Sequence, residues 1–198
     1  NVCAVSNDMK VNDVKGWVAA MKKDPGKYNY SSTGVGSMSH LSVEIVKLKS
    51  DSYAVHLPYA SSPLAVLAIM QGDVQFACVP PVAVMPQAKA GKLKAIAVTS
   101  AKRSKLAPEL PTMAESGFPD IQALAWMAIM APAKTPPDII NRMSKEISAI
   151  LAEPETQQKL AVAYMESVGS TPEELAKWMV EERSRWAPVI KHVGLTAN

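Results

Sequence analysis

Cysteine is scarce in this 198-residue sequence, which has only Cys3 and Cys78. Neither residue lies in a CxxC or Cys/His spacing, so we expect no zinc or redox centre and no metal site. Two interpretations of the pair remain open. The sequence favours two buried free thiols, and the alternative is one disulfide bond formed in an oxidising compartment.

An excess of one charge and a long hydrophobic run are also missing. The 21 basic and 18 acidic residues give a formal net charge of +3. The basic residues are spread along the chain, so we expect no nucleic-acid partner. The longest apolar run, residues 123–132, is shorter than the roughly 18 residues that span a bilayer, and it has the pattern of a buried strand. The composition predicts a soluble globular protein.

Helical and strand-like segments alternate through the first half of the chain. Apolar spacing predicts a first helix after Asn12 as N-cap, and a later helix that begins at Ser62 and Pro63. The segments between the helices, such as residues 73–79, are apolar throughout, which is typical of a mostly parallel sheet covered on both faces. We therefore expect an α/β fold with its ligand site beyond the carboxyl ends of the strands.

The second half of the chain has a different pattern. A connection rich in proline and charge follows Ser100, and three helices are then predicted. The first of them begins at Thr135, the second follows Pro154, and the third begins at Thr171, which forms a capping box with Glu174. One face of the third helix is largely apolar, so we expect it to pack on another part of the protein.

The loop STGVGSMSH, residues 32–40, precedes an apolar helix and is the main candidate site. It has no Walker A lysine, and Ser39 stands where a dinucleotide fingerprint has its third glycine, so nucleotide binding is not expected. Ser37 and His40 could form a nucleophile and base, but no GxSxG motif surrounds Ser37. Glycines beside the unpaired N–H groups of a helix N-terminus suit a small anion such as a carboxylate. The alternative is that these residues only cap the helix.

The sequences AGKLKAIAVTSAKRS and LPTMAESG are distinctive, and the segments on both sides of them follow in the order found in one receptor family. Together these segments closely resemble the solute-binding receptors of tripartite tricarboxylate transporters, the Bug family. The resemblance covers nearly the whole chain. It implies a two-lobed, type II periplasmic binding protein, not an enzyme and without a cofactor. Such a receptor captures a di- or tricarboxylate or an aromatic carboxylate and passes it to the membrane permease.

The resemblance also implies a set of ligand-binding residues. They are the glycine/serine loop, a tyrosine after a strand and a tryptophan in the strand that returns to the hinge: Ser32, Thr33, Gly34, Gly36, Ser37, Ser39, His40, Tyr59 and Trp126. The usual PYKG and Asp-Asn motifs are replaced by PYAS at residues 58–61 and by Val-Pro at 79–80. These changes make the rim of the pocket less polar and argue against amino-acid-like or heavily charged ligands. Tyr59 could instead only end a strand, and Trp126 could only fill the core.

Members of this family are longer than this chain. The resemblance implies that residues 1–124 are the second, ligand-binding lobe, and that residues 125–198 are the returning strand and helices of an incomplete first lobe. The opening residues lack the pattern of a signal peptide and indicate a strand and turn, so we expect the chain to start within a domain. One wall of a cleft predicts weak ligand binding, and unpaired apolar helix faces predict self-association.

Two other functions remain as alternatives. A ligand-sensing effector domain of a transcriptional regulator can share this fold, but it would require a DNA-binding helix-turn-helix that the sequence does not show. A hydrolase would use Ser37 and His40.

Overall fold

A computed structural model describes residues 1–195. Its strands are β1 (Val2–Val5), β2 (Asn29–Ser32), β3 (Val55–Pro58), β4 (Phe76–Val79) and β5 (Lys94–Val98). Its helices are α1 (Val14–Lys23), α2 (Met38–Ser50), α3 (Ser62–Gln71), α4 (Pro81–Lys89), α5 (Pro137–Ala152), α6 (Pro154–Val162) and α7 (Pro172–Val193). Strands and helices alternate up to β5, and helices follow.

The strands form one sheet in the order β3-β2-β4-β1-β5. β2 pairs in parallel with β3 and β4, whereas β1 is antiparallel to β4 and β5. Four strands therefore point the same way and β1 runs against them. Helices α2, α3 and α4 pack on this sheet. The expected α/β fold with a mostly parallel sheet is confirmed.

The core of the sheet-containing part lies between the strands and the apolar faces of the helices. Trp17 of α1 is fully buried and meets Phe76 of β4 edge-on, with 5.0 Å between the ring centroids. Val14, Val18 and Met21 lie on the same buried face of α1, as the helical spacing predicts.

Cys3 and Cys78 form a disulfide bond. They are directly opposite each other in the antiparallel β1–β4 pair, with their Cα atoms 4.0 Å apart. The favoured prediction of two free thiols was wrong. The sequence could not indicate the bond, because the two cysteines are 75 residues apart and no local pattern shows that their strands pair at these positions.

Contacts within the chain divide it into two units. The first contains Asn1–Ala125 together with the residues from Val189 onward, and the second is Trp126–Pro188. The sequence-based boundary was drawn one residue earlier and gave the whole of residues 125–198 to the second part, whereas the end of α7 groups with the first unit. The assignment of these units to the two lobes of a receptor stays a prediction.

The first helix begins one residue later than predicted. Asp13 rather than Asn12 is the N-cap of α1, and its carboxylate accepts a hydrogen bond from the Gly16 N–H at 2.7 Å. The Asn12 side chain instead accepts a hydrogen bond from Lys94 Nζ at 2.5 Å. The contact with the distant Lys94 therefore engages the Asn12 side chain, which local spacing predicts as the N-cap of α1.

Two further helix starts also differ by one residue. Ser61 rather than Ser62 caps α3, because its hydroxyl accepts a hydrogen bond from the Leu64 N–H at 3.4 Å. Pro136 rather than Thr135 precedes α5, and no side chain caps that end. Proline at the start of α5 already fixes the helical φ angle, so the threonine hydroxyl is not required there.

The capping box that begins α7 is confirmed. Thr171 N–H donates to the Glu174 carboxylate at 2.8 Å, and Glu174 N–H donates to Thr171 Oγ1 at 3.2 Å. In the same unit, α5 exposes about half of each of the apolar side chains Ile139, Met143 and Ile150. The helices of this unit are thus well defined while one of their apolar faces is open.

The prediction of a buried strand at residues 123–132 is wrong. None of these residues belongs to a strand, and Met127, Ile129 and Met130 are 77%, 73% and 60% exposed. A strand requires a neighbour that takes up its N–H and C=O groups. Within residues 1–195 there is no second sheet for this segment to join.

Candidate functional site

The glycine/serine loop connects the carboxyl end of β2, at Ser32, to the start of α2, at Met38. Gly34 and Gly36 have φ angles of +120° and +77°. A Cβ atom added at Gly34 would meet nothing within 4 Å, so glycine is needed there for the backbone conformation and not for space. The position of the loop is the one expected for a ligand in an α/β fold.

Serine hydroxyls hold the loop in shape. Ser37 is the N-cap of α2: its Oγ accepts from the His40 N–H at 3.2 Å and donates to the Gly34 carbonyl at 2.7 Å. Ser39 Oγ is buried and accepts from the Thr33 N–H at 2.9 Å. These two hydroxyls were predicted as ligand donors, and in this structure both are already engaged within the loop.

The backbone N–H groups of the loop differ in whether they have a hydrogen-bond partner. The N–H groups of Thr33, Gly34, Gly36 and Ser37 have partners inside the loop. Among the residues that the structure describes, those of Val35, Met38 and Ser39 have no hydrogen-bond partner. Two of these three belong to the first turn of α2, where the helix dipole favours an anion. The loop therefore presents N–H donors and a positive partial charge.

Two histidine rings lie beneath the loop. His40 is 4% exposed, and its Nδ1 accepts a hydrogen bond from the Gly36 N–H at 3.2 Å. Its ring stacks on His56 of β3, with 4.1 Å between the centroids. His56 Nε2 is 2.6 Å from Ser32 Oγ. The two rings thus contact the loop at its first residue, Ser32, and at Gly36.

A buried ionic cluster continues from His40 along α2. Glu44 Oε1 lies 3.9 Å from His40 Nε2 and 2.6 Å from Lys47 Nζ. The Tyr30 hydroxyl donates to the same Glu44 oxygen, and the Tyr30 ring stacks on His56 at 4.9 Å. Glu44 is 6% exposed, so its charge is compensated by a cation and a hydroxyl rather than by water.

The surroundings of the cluster shift the pKa values of three of its side chains. Burial lowers the pKa of His40, and the nearby Glu44 carboxylate opposes that effect. Burial and the neighbouring His40 ring lower the pKa of His56 to about 4. Burial and the hydrogen bond to Glu44 raise the pKa of the Tyr30 hydroxyl. Both histidines are therefore neutral at pH 7.

Tyr59 lies at the same sheet edge as the loop. It follows β3 directly, and its N–H donates to the Ser32 carbonyl at 2.9 Å. The parallel register of β2 and β3, which pairs Ser32 with Pro58, places it there. Trp126 is the first residue of the second unit and is 37% exposed, so its part in the site stays a prediction.

Sequence reasoning missed Tyr30, His56 and Glu44. The parallel pairing of β2 and β3 places Tyr30 opposite His56. In the sequence, the only sign of this pair is a single histidine within the apolar segment of β3. In residues 1–195 no group of three or more His, Cys, Asp or Glu side chains is arranged to hold a metal ion.

The contacts of the histidines do not match a serine nucleophile with its base. His40 receives the Gly36 N–H and faces Glu44, while Ser37 Oγ bonds to the loop backbone and to Ser39. The Ser–His pair at hydrogen-bond distance is Ser32 with His56, and Ser32 is 0% exposed. A substrate carbonyl has no access to that hydroxyl.

The family model for the tripartite tricarboxylate transporter family receptor matches residues 1–195. The chain belongs to this receptor family. The resemblance read from the sequence is thereby confirmed. The fold agrees, because a solved structure of R. palustris Rpa4515 with adipate superposes with a TM-score of 0.86 at 28% identity, over 98% of this chain and 65% of that one.

Curated relatives of the receptor family match over the same region. The chain is 30% identical to the UPF0065 protein in the tcbD-tcbE intergenic region of Pseudomonas sp. strain P51, over 100% of this chain and 59% of that protein. It is also 30% identical to protein BugT of Bordetella pertussis, over 98% of this chain and 59% of that protein. The chain thus spans about three fifths of the length of these two relatives. Among its described residues, no helix has the length and apolar character needed to cross a membrane.

Proposed function

We propose that this chain is the ligand-binding part of a periplasmic receptor. The receptor would capture a small organic acid and deliver it to the membrane permease subunits of a tripartite tricarboxylate transporter. The observation that carries this function is the loop between β2 and α2, whose free N–H groups stand at a helix N-terminus and at the carboxyl end of a strand. The related structure that contains adipate, a dicarboxylate, supports this choice of ligand class.

In this proposal one carboxylate of the ligand accepts hydrogen bonds from the N–H groups of Val35, Met38 and Ser39. Thr33 and Ser37 belong to the same loop and are only partly buried. The remaining predicted residues of the first unit support the loop or flank it: Ser32, Gly34, Gly36 and His40 shape the backbone, and Tyr59 flanks the ligand. A ligand contact of Trp126, in the second unit, stays a prediction.

The strength of such a site follows from its donors. Three hydrogen bonds to a charged group contribute about 1.5 to 3 kcal/mol each. Association and ordering remove several kcal/mol of that total. Micromolar binding requires about 8 kcal/mol and millimolar binding about 4. We therefore expect this chain by itself to bind a dicarboxylate on the order of millimolar, and a second wall to be needed for receptor-like affinity.

An NMR titration tests the proposed site. Adipate is added to the ¹⁵N-labelled chain, and 1,6-hexanediol, which has the same carbon count and no charge, is the matched control. The expected result is a saturable shift of the Val35, Met38 and Ser39 amide signals with adipate alone. Equal shifts with the diol, or shifts that avoid this loop, would refute the carboxylate site.

Self-association is a separate part of the proposal. The second unit exposes apolar side chains from residues 126–130 and from α5, including Met127 and Ile139. Apolar surface of this kind favours contact with another protein surface. Light scattering over a range of concentrations measures the effect, and a monomer at every concentration would contradict it.

A further inference from the structure

The hydrogen bond between the Gly36 N–H and His40 Nδ1 determines which form of the imidazole is present. A ring nitrogen that accepts a hydrogen bond carries no proton, so the proton of neutral His40 is on Nε2. That nitrogen faces the Glu44 carboxylate at 3.9 Å. The geometry therefore assigns the Nε2–H tautomer to His40.

The second ring supports the start of the loop. His56 stacks on His40, and its Nε2 contacts Ser32 Oγ at 2.6 Å. The Ser32 hydroxyl in turn receives the Gly34 N–H at 3.1 Å. The two stacked imidazoles thus fix the backbone at Gly34 and at Gly36, on either side of the free N–H of Val35.

We propose that His40 and His56 are positioning residues for the carboxylate loop, and that uptake of a proton by this pair releases the loop and weakens ligand binding. The inference rests on the proposed function for its ligand. Neither ring needs to touch the ligand, because each acts through a backbone group of the loop.

Protonation of His40 is the step that releases the loop. A proton on Nδ1 turns the acceptor into a donor, so that two N–H groups face each other and the hydrogen bond to Gly36 is lost. The backbone at Gly36 is then no longer held in the conformation that the structure shows. A second proton on His56 would place two cations 4.1 Å apart, which the low-polarity surroundings disfavour.

The charged groups around the pair come from several elements. Glu44 of α2 is the nearest anion and favours a proton on either ring, but it already binds Lys47 and the Tyr30 hydroxyl of β2. Lys47 disfavours a second cation, and His192 lines the same surface groove as Glu44 and Lys47. The lowered pKa values of the buried His40 ring and the partly buried His56 ring agree with this balance.

The tautomer and the release are tested first without any ligand. Imidazole ¹⁵N spectra of the wild-type chain at neutral pH are expected to show protonated Nε2 and bare Nδ1 at His40. As the pH falls from about 8 to about 4, the Gly36 amide signal is expected to shift together with the His40 ring signals. A protonated Nδ1 at neutral pH, or a Gly36 signal that does not follow the ring, would overturn the inference.

Variants of His40 then separate the effect of its hydrogen bond to Gly36 from the effect of its charge. His40→Asn keeps an acceptor near the position of Nδ1 but cannot titrate, whereas His40→Phe keeps a flat ring without an acceptor. The matched control is His192→Asn, which removes the exposed third histidine of the chain.

Adipate binding is measured on each variant by the same amide shifts at about pH 8 and about pH 5. We expect binding to weaken about tenfold more in wild type and in His192→Asn than in His40→Asn, and to be weak at both pH values in His40→Phe. Tighter wild-type binding at low pH, or an equal pH response in His40→Asn, would refute the positioning role. Absence of adipate binding at both pH values would instead refute the proposed function, since the ligand-free measurements are independent of it.

Discussion

Replacement of Met38 by proline removes one of the three free N–H groups without removing a bond of the fold. Met38 is the first residue of α2, where proline is well tolerated because that N–H has no helical partner. The preceding residue, Ser37, has φ −65° and ψ 158°, an extended conformation that suits a residue before proline. Met38→Pro is therefore expected to fold, and Met38→Ala is the matched control that keeps the N–H.

The expected loss equals one hydrogen bond to a charged acceptor. Such a bond contributes about 1.5 to 3 kcal/mol, which corresponds to roughly a tenfold to hundredfold weaker affinity for adipate. The unfolding free energy should change by less than about 1 kcal/mol, since the restricted backbone of proline compensates for the lost side-chain contacts.

The assay combines an NMR titration with adipate and a urea unfolding curve for each variant. Weaker binding in Met38→Pro, with Met38→Ala close to wild type and all unfolding midpoints similar, would support the proposed donors. Equal affinity in the two variants would refute the use of this N–H. A large drop in the stability of Met38→Pro would refute the assignment of Met38 to the tolerant first position of α2.

Three further predictions concern stability. Reduction of the Cys3–Cys78 bond should lower the free energy of unfolding in urea by about 4 kcal/mol, because it opens a loop of 75 residues; an unchanged midpoint would contradict this. Gly34→Ala should cost about 1 to 3 kcal/mol in the same assay, since alanine is strained at φ +120°, and a neutral result would show that the loop relaxes. The lowered pKa of His56 means that the unfolded chain binds more protons than the folded one below pH 6.5, so stability should be full above about pH 6.5 and fall towards pH 4. The whole shift corresponds to about 3 kcal/mol, which solvent screening of this partly exposed ring reduces to on the order of 1 to 2 kcal/mol. His56→Gln should flatten that part of the pH profile, and an identical profile would assign the loss to other groups.

Much of the fold was predictable because the deciding interactions are local. The buried face of α1 follows from helical spacing, and the Thr171 capping box follows from residues three apart. The loop between β2 and α2 was recognisable as a candidate site for the same reason, since its glycines and the helix that follows are adjacent in sequence, and its role in anion binding stays a prediction. The family, too, was recognisable from contiguous phrases.

The remaining features depend on contacts between distant parts of the chain. The disulfide bond exists because β1 and β4 pair antiparallel in one particular register, and the stack of His40 on His56 exists because β3 lies beside β2. The same effect explains the error at residues 123–132, whose apolar pattern suits a strand that here has no neighbour. Sequence alone determined which segments are helical, which are apolar and where the glycine/serine loop lies. Tertiary structure alone decided the Cys3–Cys78 bond and the stack of His40 on His56, because strand pairing joins residues that no local pattern connects.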